Sequence, residues 1–413
     1  MTRAIQTQCC IAGGGPAGMM LGFLLARAGV DVYVLEKHGD FLRDFRGDTI
    51  HPSTLELMYE LGLLNEFLKR PHQELRQIAA QIGNEFIVLG DLTHVPTHCK
   101  FLALMPQWDF LNFLVEHASA LPTFHLKMNA EVTELVEENG RIVGVRAQTP
   151  EGTQGVAASL TVGADGRDSI VRKQAGLPVI DVGSPMDVLW MRLSRKPGDP
   201  GQTFGHADAG KMLVLIERGE YWQCAFVIPK GSADELRRRG ITAFRDDIVR
   251  LNPFLRDRVE ELRDWNDVSL LTVKVDRLER WYKPGLLCIG DAAHAMSPIG
   301  GVGINLAIQD AVATANILAE KLREEIPSES DLEKVQRRRT FPTRATQSVQ
   351  IAVQNRVIKR VLGSSTQVST PWVFKLLKAF PYLQRIPARI IGVGFRPEHV
   401  RTQARYQNLT RAA

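Results

Sequence analysis

Residues 8–36 of the chain read QCCIAGGGPAGMMLGFLLARAGVDVYVLE. The apolar run up to Ala12 predicts a buried strand, because a short unbroken apolar segment bounded by glycines suits a strand covered on both faces. A glycine-rich turn follows, then a helix-like stretch to Arg27 and a second apolar strand over residues 31–35, which ends at Glu36. This strand, turn, helix and strand predict an α/β protein built on a parallel sheet.

The turn has the spacing Gly-x-Gly-x-x-Gly. Gly13 permits a tight turn, Gly15 lets a pyrophosphate approach bare backbone amides, and Gly18 lets the helix pack close to the strand. The N-terminus of the helix offers unpaired amides and the positive end of its dipole to phosphates. Glu36, about 20 residues further on, suits a ribose diol. The residues predicted to hold a dinucleotide here are Gly13, Gly15, Pro16, Ala17, Gly18, Glu36 and Lys37.

Length and composition bound the class of protein. A chain of 413 residues exceeds one compact core, so two or more domains are expected. The sequence shows neither a signal-peptide pattern nor an apolar run of the roughly 20 residues that a membrane span needs. The five cysteines have no CxxC pair and no ligand spacing, which predicts reduced thiols in the cytoplasm and no metal site.

The charge is unevenly distributed. From Lys334 to the C-terminus the chain carries sixteen Lys and Arg against the single acid Glu398, whereas the remainder is acidic. A basic segment on an acidic body indicates an anionic partner, and the candidates are an NADPH phosphate, a membrane surface and nucleic acid. Nucleic acid is disfavoured, because the basic residues are scattered and form no binding motif. The apolar and basic stretch 371–380 suggests peripheral contact with the inner membrane, against the alternative of a helix packed on the body.

Strand patterns divide the chain into interleaved segments. We expect a Rossmann-like nucleotide-binding domain with a parallel sheet, a mostly antiparallel β substrate domain, and a helical, basic C-terminal segment. A leucine-rich helix is predicted over residues 54–67, capped by Ser53 or Thr54, and a charged helix over residues 234–250. The predicted nucleotide-binding domain comprises residues 1–73, 105–180 and 281–330, the substrate domain residues 74–104 and 181–280, and the C-terminal segment residues 331–413.

FAD is inferred from three strand ends with similar turn chemistry. Besides the first glycine turn, Asp165-Gly166 and Gly290-Asp291 each follow a buried strand. The carboxyl ends of parallel strands share one edge of a sheet, so the three turns can meet on one long cofactor. Asp291 suits ribitol hydroxyls, and the amides of Gly303, Ile304 and Asn305 at the start of a long helix suit the flavin pyrimidine, where reduction develops negative charge.

These motifs resemble the three fingerprints of single-component flavin monooxygenases of the para-hydroxybenzoate hydroxylase type. The segments that carry the resemblance are Gly13–Gly18, Ala164–Ser169 and Gly290–His294, within residues 8–325. The resemblance implies non-covalent FAD, NADH or NADPH as a transient electron donor, and O₂. It also implies hydroxylation of an aromatic or polycyclic small molecule through a flavin C4a-hydroperoxide. The cofactor supplies the difficult chemistry, and the protein supplies binding, orientation and exclusion of water.

The resemblance also implies roles for single residues. Glu36 would bind the adenosine ribose, Asp165 would serve both FAD and the nicotinamide cofactor, and Pro298 would place a backbone carbonyl near the reactive edge of the flavin. His294 is a weak candidate for a base, since that position of the motif is more often structural. The further positions implied are Arg46 near the pyrophosphate, Gln107 near the ribityl chain and Val132 near the adenine.

The substrate pocket is expected over the second sheet. Trp190 and Arg192 share a face of one predicted strand, and apolar residues of two neighbouring strands follow. Arg192 and Tyr221 are the candidates for orienting a phenol or a carboxylate. Two alternatives remain open at this point. One is an FAD-dependent reductase of the geranylgeranyl-reductase kind, and the other is a flavoprotein without catalytic activity.

Overall fold

The computed structural model describes residues 4–42, 49–83, 85–201, 203–364, 366 and 370–406. The strands are β1 Ile5–Ala12, β2 Val32–Leu35, β3 Thr49–Ile50, β4 Gln73–Leu75, β5 Gln77–Ile82, β6 Glu85–Asp91, β7 Leu102–Leu104, β8 Phe124–Lys127, β9 Glu131–Glu138, β10 Arg141–Thr149, β11 Gly152–Gly163, β12 Val179–Asp181, β13 Met186–Ser194, β14 Phe204–Asp208, β15 Lys211–Glu217, β16 Tyr221–Pro229, β17 Ser269–Leu271, β18 Asp276–Leu278, β19 Tyr282–Lys283 and β20 Leu286–Cys288.

The helices connect and cover these strands. They are α1 Pro16–Arg27, α2 Pro52–Glu60, α3 Leu64–Phe67, α4 Gln107–Ser119, α5 Ile170–Gln174, α6 Ala233–Arg238, α7 Ile241–Leu251, α8 Val302–Glu324, α9 Glu329–Val353, α10 Lys359–Leu362, α11 Trp372–Ala379 and α12 Arg385–Gly392. A turn of π-helix, Gln354–Ile358, joins α9 to α10.

The first sheet has the order β19-β20-β11-β1-β2-β8, with β10 and β9 added alongside β11. Strands β20, β11, β1, β2 and β8 run parallel. Its apolar strands lie in one large core together with α1, α4 and α8, as expected of a parallel sheet covered on both faces. By length and composition α8 could cross a membrane, but most of it is buried inside this core.

The second sheet has the order β17-β13-β16-β15-β14-β5-β6 and is antiparallel except at the β14–β5 pair. One face packs on α6 and α7 through a separate core that contains Trp222, Phe226 and Phe244. The predicted fold class is confirmed. The domain boundaries stay a prediction. Within residues 74–104 only β5 and β6 join the second sheet, whereas β7 pairs with β3 and β4 in a third, three-stranded sheet.

Two predicted helices are interrupted. The helix expected over residues 54–67 is divided into α2 and α3 by Gly62, whose φ of 76° is left-handed. The helix expected over residues 234–250 is divided into α6 and α7 by Gly240, with φ of 87°. The predicted cap of α2 is also wrong. His51 precedes the helix with no side-chain cap, Pro52 occupies its first position, and the Thr54 hydroxyl donates to Asn305 instead.

Candidate functional site

The three glycine-containing turns meet at one edge of the first sheet. The register pairs Ala12 with Gly163, and Gly163 with Cys288, so three parallel strands end level with one another. Backbone hydrogen bonds continue past the strand ends, from the amide of Ala164 to the carbonyl of Ala12 and from the amide of Ile289 to that of Gly163. The turns are therefore neighbours in space, although about 280 residues separate the first from the last.

The glycines of the first turn have different surroundings. At Gly13, with φ of 107°, a Cβ atom would lie 2.4 Å from the carbonyl oxygen of Ala164, and at Gly18 it would lie 1.9 Å from that of Gly13. A Cβ at Gly15 would meet no heavy atom of the described residues within 4 Å. Gly13 and Gly18 are thus required for packing, whereas Gly15 borders open space at the start of α1, which has no side-chain cap.

Glu36 lies beside the same turn. Its carboxylate accepts hydrogen bonds from the amides of Gly14 and His38, at 2.9 and 3.0 Å. The segment leading to Val132 runs alongside, because the amide of Ala130 donates to the carbonyl of Glu36. The structure thus brings Glu36 and the start of β9 together, and it leaves Lys37 exposed next to them.

Asp165 and Asp291 follow the other two strand ends. The amide of Val171 donates to Asp165 Oδ2, while Asp165 Oδ1 is buried without a hydrogen-bond partner among the described residues. Burial raises the pKa of Asp165, and hydrogen bonds from Ser169 and Val171 offset this only in part. Asp291 Oδ2 lies 3.7 Å from Arg167 Nη2, so the two turns also touch through side chains.

The raised pKa of Asp165 gives a pH-dependent prediction. The buried carboxylate costs apoprotein stability above its folded-state pKa, and this cost disappears as the pH falls through that pKa. Asp165→Asn should therefore raise the apoprotein melting temperature by about 2 °C at about pH 8, with a smaller difference near about pH 4. Scanning calorimetry at several pH values checks this, with the exposed Asp234→Asn as the control. A constant difference across the pH range would contradict the assignment.

The N-terminus of α8 faces the same edge. The Asn305 side chain accepts from the amide of His51 at 2.9 Å and donates to the carbonyl of Thr49 at 3.0 Å. Burial lowers the pKa of His51 to about 4, and its Nδ1 pairs with the carbonyl of Ile391 at 2.7 Å. The Asn305 side chain thus makes its hydrogen bonds within the protein. The helix has no side-chain cap, so its first amides, including that of Gly303, lack intrahelical partners.

The loop before α8, residues 295–299, contains Pro298 and is held by three glutamines of the C-terminal segment. Gln350 Nε2 donates to the carbonyls of Ser297 and Ile299, both at 2.9 Å. Gln354 donates to Ser297 Oγ at 2.8 Å, and Gln347 donates to the carbonyl of Ala295 at 3.2 Å. These three glutamines were not among the predicted site residues. Their i, i+3, i+7 spacing on an amphipathic helix was the available signal.

His294 lies in a buried ionic network. Its Nε2 is 2.6 Å from Asp310 Oδ2, which also accepts from the amide of Gly290 at 3.1 Å. Arg339 Nε donates to Asp310 Oδ1 at 2.8 Å, and Arg339 Nη1 reaches Glu398 Oε1 at 3.3 Å. His294 is 1% exposed. Asp310 Oδ2 thus joins the His294 ring to the Gly290-Asp291 turn.

The second sheet turns one face toward this edge. Cross-strand register aligns Trp190 with Ala225, Ala225 with Val214, and Val214 with Gly205, so these residues share a face. Trp222 and Phe226, on the same strand as Ala225, point to the opposite core. Near one end of this face, Ile299 of the loop before α8 packs in a cluster with Met186, Met212, Val227, Ile358 and Leu362.

A row of apolar residues and one glycine crosses this face between two covered regions. We call this row the sheet groove, and it comprises Ala80, Gly205, Val214, Ala225 and Trp190. Four of these five residues are partly exposed, whereas Ala225 is buried in a cluster that also contains Val273. On one side, α10 and the π-helical turn before it cover Ile82, Ile87, Ala207 and Met212. On the other side, α12 covers Ile78 and Ile216.

Arg192 and Tyr221 lie together at the far rim of the groove. The guanidinium carbon of Arg192 is 3.9 Å from the centroid of the Tyr221 ring. Arg192 is six residues along β13 from Met186, which corresponds to about 20 Å. The pair is therefore remote from the loop that contains Pro298. Gln107 begins α4, directly after the third sheet, and Arg46 lies outside the described residues.

The arrangement fits FAD. Two helices without side-chain caps, α1 and α8, direct their N-termini toward a common edge, where a cofactor can supply phosphate and carbonyl oxygens. The open space at Gly15 leaves room for a phosphate to approach the backbone. Asp165 Oδ1, which has no hydrogen-bond partner among the described residues, can accept a hydrogen bond from the cofactor. When bound there, FAD supplies electron transfer and oxygen activation, and the chain supplies the surrounding charges and walls.

Such a fold and site define an FAD-binding oxidoreductase. The chain matches the FAD binding domain family over residues 6–349, and it belongs to that family. The 6-methylpretetramide 4-monooxygenase of Streptomyces rimosus is 35% identical over 387 residues, which cover 93% of this chain and 92% of that protein. The chain is therefore an FAD-dependent monooxygenase acting on a small aromatic or polycyclic molecule, with NAD(P)H as the donor typical of the family.

One solved structure and one further relative are also similar to this chain. The crystal structure of p-nitrophenol 4-monooxygenase from Pseudomonas putida has a TM-score of 0.75 at 20% identity, covering 93% of this chain and 97% of that one, and shows the same fold. The dialkyldecalin synthase of Streptomyces rugosporus is 30% identical over 330 residues, 73% of this chain and 63% of that protein. The monooxygenase prediction is confirmed over the reductase alternative.

Proposed function

We propose that the chain hydroxylates a polycyclic phenol bound in the sheet groove. The observation that carries this proposal is the row of small side chains at Ala80, Gly205, Val214 and Ala225, which gives a flat apolar floor beside the loop that contains Pro298. The name of the Streptomyces rimosus relative, a 6-methylpretetramide 4-monooxygenase, supports a polycyclic substrate of this kind. A broad apolar floor with few polar groups favours fused rings over a single small acid.

For the adenosine half of FAD, we propose that Glu36 binds the ribose diol and that the amides around Gly15 bind the pyrophosphate. The Glu36 carboxylate lies beside the glycine turn, where it accepts from the amide of Gly14 through Oε2 and contacts the amide and Nδ1 of His38 through Oε1. Val132 would lie near the adenine. Arg46 and Gln107 keep their proposed roles at the pyrophosphate and the ribityl chain, on the resemblance alone.

For the flavin half, we propose that Asp291 binds the ribitol hydroxyls and that the amides at Gly303, Ile304 and Asn305 face the pyrimidine. Asp165 would contact both FAD and the nicotinamide cofactor. Pro298 would help to position the flavin and would not take part in the reaction itself, because its carbonyl accepts a hydrogen bond from the amide of Gly301 within a turn. We propose that Gln350 keeps this loop in place, since it bonds the carbonyls on both sides of Pro298.

At the substrate, we propose that Arg192 and Tyr221 hold the distal end of a long molecule. Their stacked side chains offer a cation and a hydroxyl at the rim, about 20 Å from Met186. A single-ring substrate at the flavin would not span this distance. Orientation of the ring that reacts would then come from the groove itself and from the loop before α8.

The test is a substrate screen with the FAD-loaded protein. Polycyclic phenols and single-ring phenols are compared for stimulated NADPH and NADH oxidation, O₂ uptake and product mass. The proposal requires a polycyclic phenol to gain one oxygen atom. Stimulated oxidation without a hydroxylated product, or conversion without O₂ uptake as a synthase would give, would reject it.

A graded substitution at Gly205 tests the place of binding. A Cβ there would make only ordinary contacts, 3.8 Å to Val214 Cγ2 and 4.0 Å to Ala80 Cβ, so Gly205→Ala should retain near-normal KM. Gly205→Leu fills the groove and should raise KM for a polycyclic substrate at least about tenfold, through lost apolar contact. FAD content should stay normal in both variants. An unchanged KM in Gly205→Leu would place the substrate elsewhere.

We also propose a cytoplasmic enzyme whose basic C-terminal segment makes peripheral contact with the inner membrane. The support is the charge of that segment, which carries sixteen basic residues and one acid from Lys334 onward. Its acid is not available to offset the surface charge, because Glu398 is buried against Arg338 and Arg339.

A further inference from the structure

The elements α11, the 3₁₀ turn Pro381–Gln384 and α12 lie along β6, the edge strand of the second sheet. Phe374 packs in the cluster with Ile82, Ile87 and Val361, and Ala388 packs in the cluster with Leu92 and Leu104. These contacts attach one side of the unit to the body. We call α11, the turn and α12 together the edge unit.

The other side of the edge unit is apolar and exposed. Six of the fourteen large apolar side chains exposed among the described residues lie within this one stretch of fifteen residues. Trp372, Tyr382 and Ile386 are 74%, 63% and 58% exposed. No side chain of α11 is fully buried, which is unusual for a helix whose sequence is mostly apolar. The six are Trp372, Val373, Leu376, Phe380, Tyr382 and Ile386.

Basic side chains surround this apolar surface. Lys375, Arg385 and Arg389 are exposed on the edge unit, and Lys378 pairs with Glu85 at 3.2 Å. Between residues 370 and 406 the only acid is Glu398, which is buried in the ionic network. An apolar strip with aromatic residues and a basic border is the composition of a helix that lies in the headgroup region of an anionic bilayer.

We propose that the edge unit is a docking surface for an anionic lipid bilayer. This inference rests on the proposed membrane contact and assigns it to particular side chains. Lys375, Arg385 and Arg389 attract the lipid phosphates, while the aromatic and aliphatic side chains enter the headgroup boundary. The side chains that enter are Trp372, Leu376, Phe380, Tyr382 and Ile386.

A second copy of the chain is the weaker occupant for this surface. A two-fold interface would place the surface against itself, so the basic side chains of one copy would approach the basic side chains of the other. A bilayer of phosphatidylglycerol offers the opposite charge over the whole surface. Docking of the edge unit would also bring the sheet groove near the bilayer, because α12 covers one side of the groove through Ala388.

The experiment measures binding of the purified FAD-loaded protein to vesicles, without substrate or NADPH. Vesicles of phosphatidylglycerol and phosphatidylcholine are compared with pure phosphatidylcholine by co-sedimentation and by tryptophan fluorescence. Lys375→Gln/Arg389→Gln should lower the partition coefficient about 30-fold. Trp372→Ser should lower it about tenfold and abolish part of the blue shift.

Matched controls separate this surface from net charge and from fold. Lys127→Gln/Arg146→Gln removes the same charge from the first sheet, and Ile326→Ser removes another exposed apolar side chain from the α8–α9 turn. Both should bind vesicles like the parent chain. Equal losses in test and control variants, absence of anionic-vesicle binding, or a dimer lost in Trp372→Ser by light scattering would overturn the proposal. NADPH oxidation by the same variants is unaffected in the expected result, so the membrane proposal fails or stands independently of the substrate assignment.

Discussion

Replacing Asp310 by asparagine is expected to lower the free energy of unfolding by about 3 kcal/mol. Asp310 is fully buried and bonds Arg339, His294 and the amide of Gly290. Burial alone would raise its pKa, but the interactions with His294 and Arg339 lower that pKa overall. The variant leaves a buried guanidinium with Glu398 as its remaining carboxylate partner, and it weakens the support of the Gly290-Asp291 turn.

The same variant should lose FAD affinity, because the turn that presents Asp291 is held by the Asp310 carboxylate. Urea unfolding of the apoprotein measures the first effect, and FAD titration under folded conditions measures the second. Arg338→Gln is the control, since Arg338 reaches Glu398 from a partly exposed position and should cost about 1 kcal/mol or less. Wild-type unfolding and FAD affinity in Asp310→Asn would show that the network is dispensable.

The second large effect is expected from substitutions in the first glycine turn. Alanine at Gly18 should disturb folding, whereas alanine at Gly15 should disturb FAD binding. In Gly18→Ala the new Cβ would lie 1.9 Å from the carbonyl oxygen of Gly13, so α1 cannot remain against β1. We expect the apoprotein to lose about 3 kcal/mol of stability and to be isolated without FAD. In Gly15→Ala the new Cβ meets no described heavy atom within 4 Å, and the φ of −73° suits alanine.

Gly15→Ala should therefore fold as the parent chain does, while its FAD affinity falls at least about tenfold, since the methyl group occupies the space assigned to the pyrophosphate. The pair separates packing from cofactor binding. The measurements are apoprotein melting temperature and the FAD absorbance per chain after gel filtration. Full FAD occupancy in Gly15→Ala would place the phosphates away from this residue.

Local patterns account for the predictions that hold. The buried strands around Ala12, Gly163 and Cys288 are short apolar runs that end in glycine or acid, and this chemistry is visible without neighbours. The breaks at Gly62 and Gly240 were missed, because hydrophobic spacing continues across each glycine while the backbone takes a left-handed conformation. Periodicity reports which face is apolar, and a single helix break scarcely alters it.

The site shows a further limit. Gln347, Gln350 and Gln354 bond the loop that contains Pro298, but glutamine on a helix is ordinarily a surface residue. Whether Arg192 and Tyr221 would lie near the flavin or at a rim depends on the direction of β13 relative to α8. Neither the partner of a polar side chain nor the direction of a strand is encoded in neighbouring residues.

By itself, the sequence determined the cofactor. Three motifs, at Gly13, Asp165 and Gly290, each carry turn chemistry that only a few ligands can satisfy, because backbone amides, glycine and acid act locally. Tertiary structure alone decided what surrounds that cofactor. The sheet groove, the buried Asp310 network and the exposed edge unit are made by residues far apart in the chain, and their contacts follow from packing and strand register rather than from local propensity.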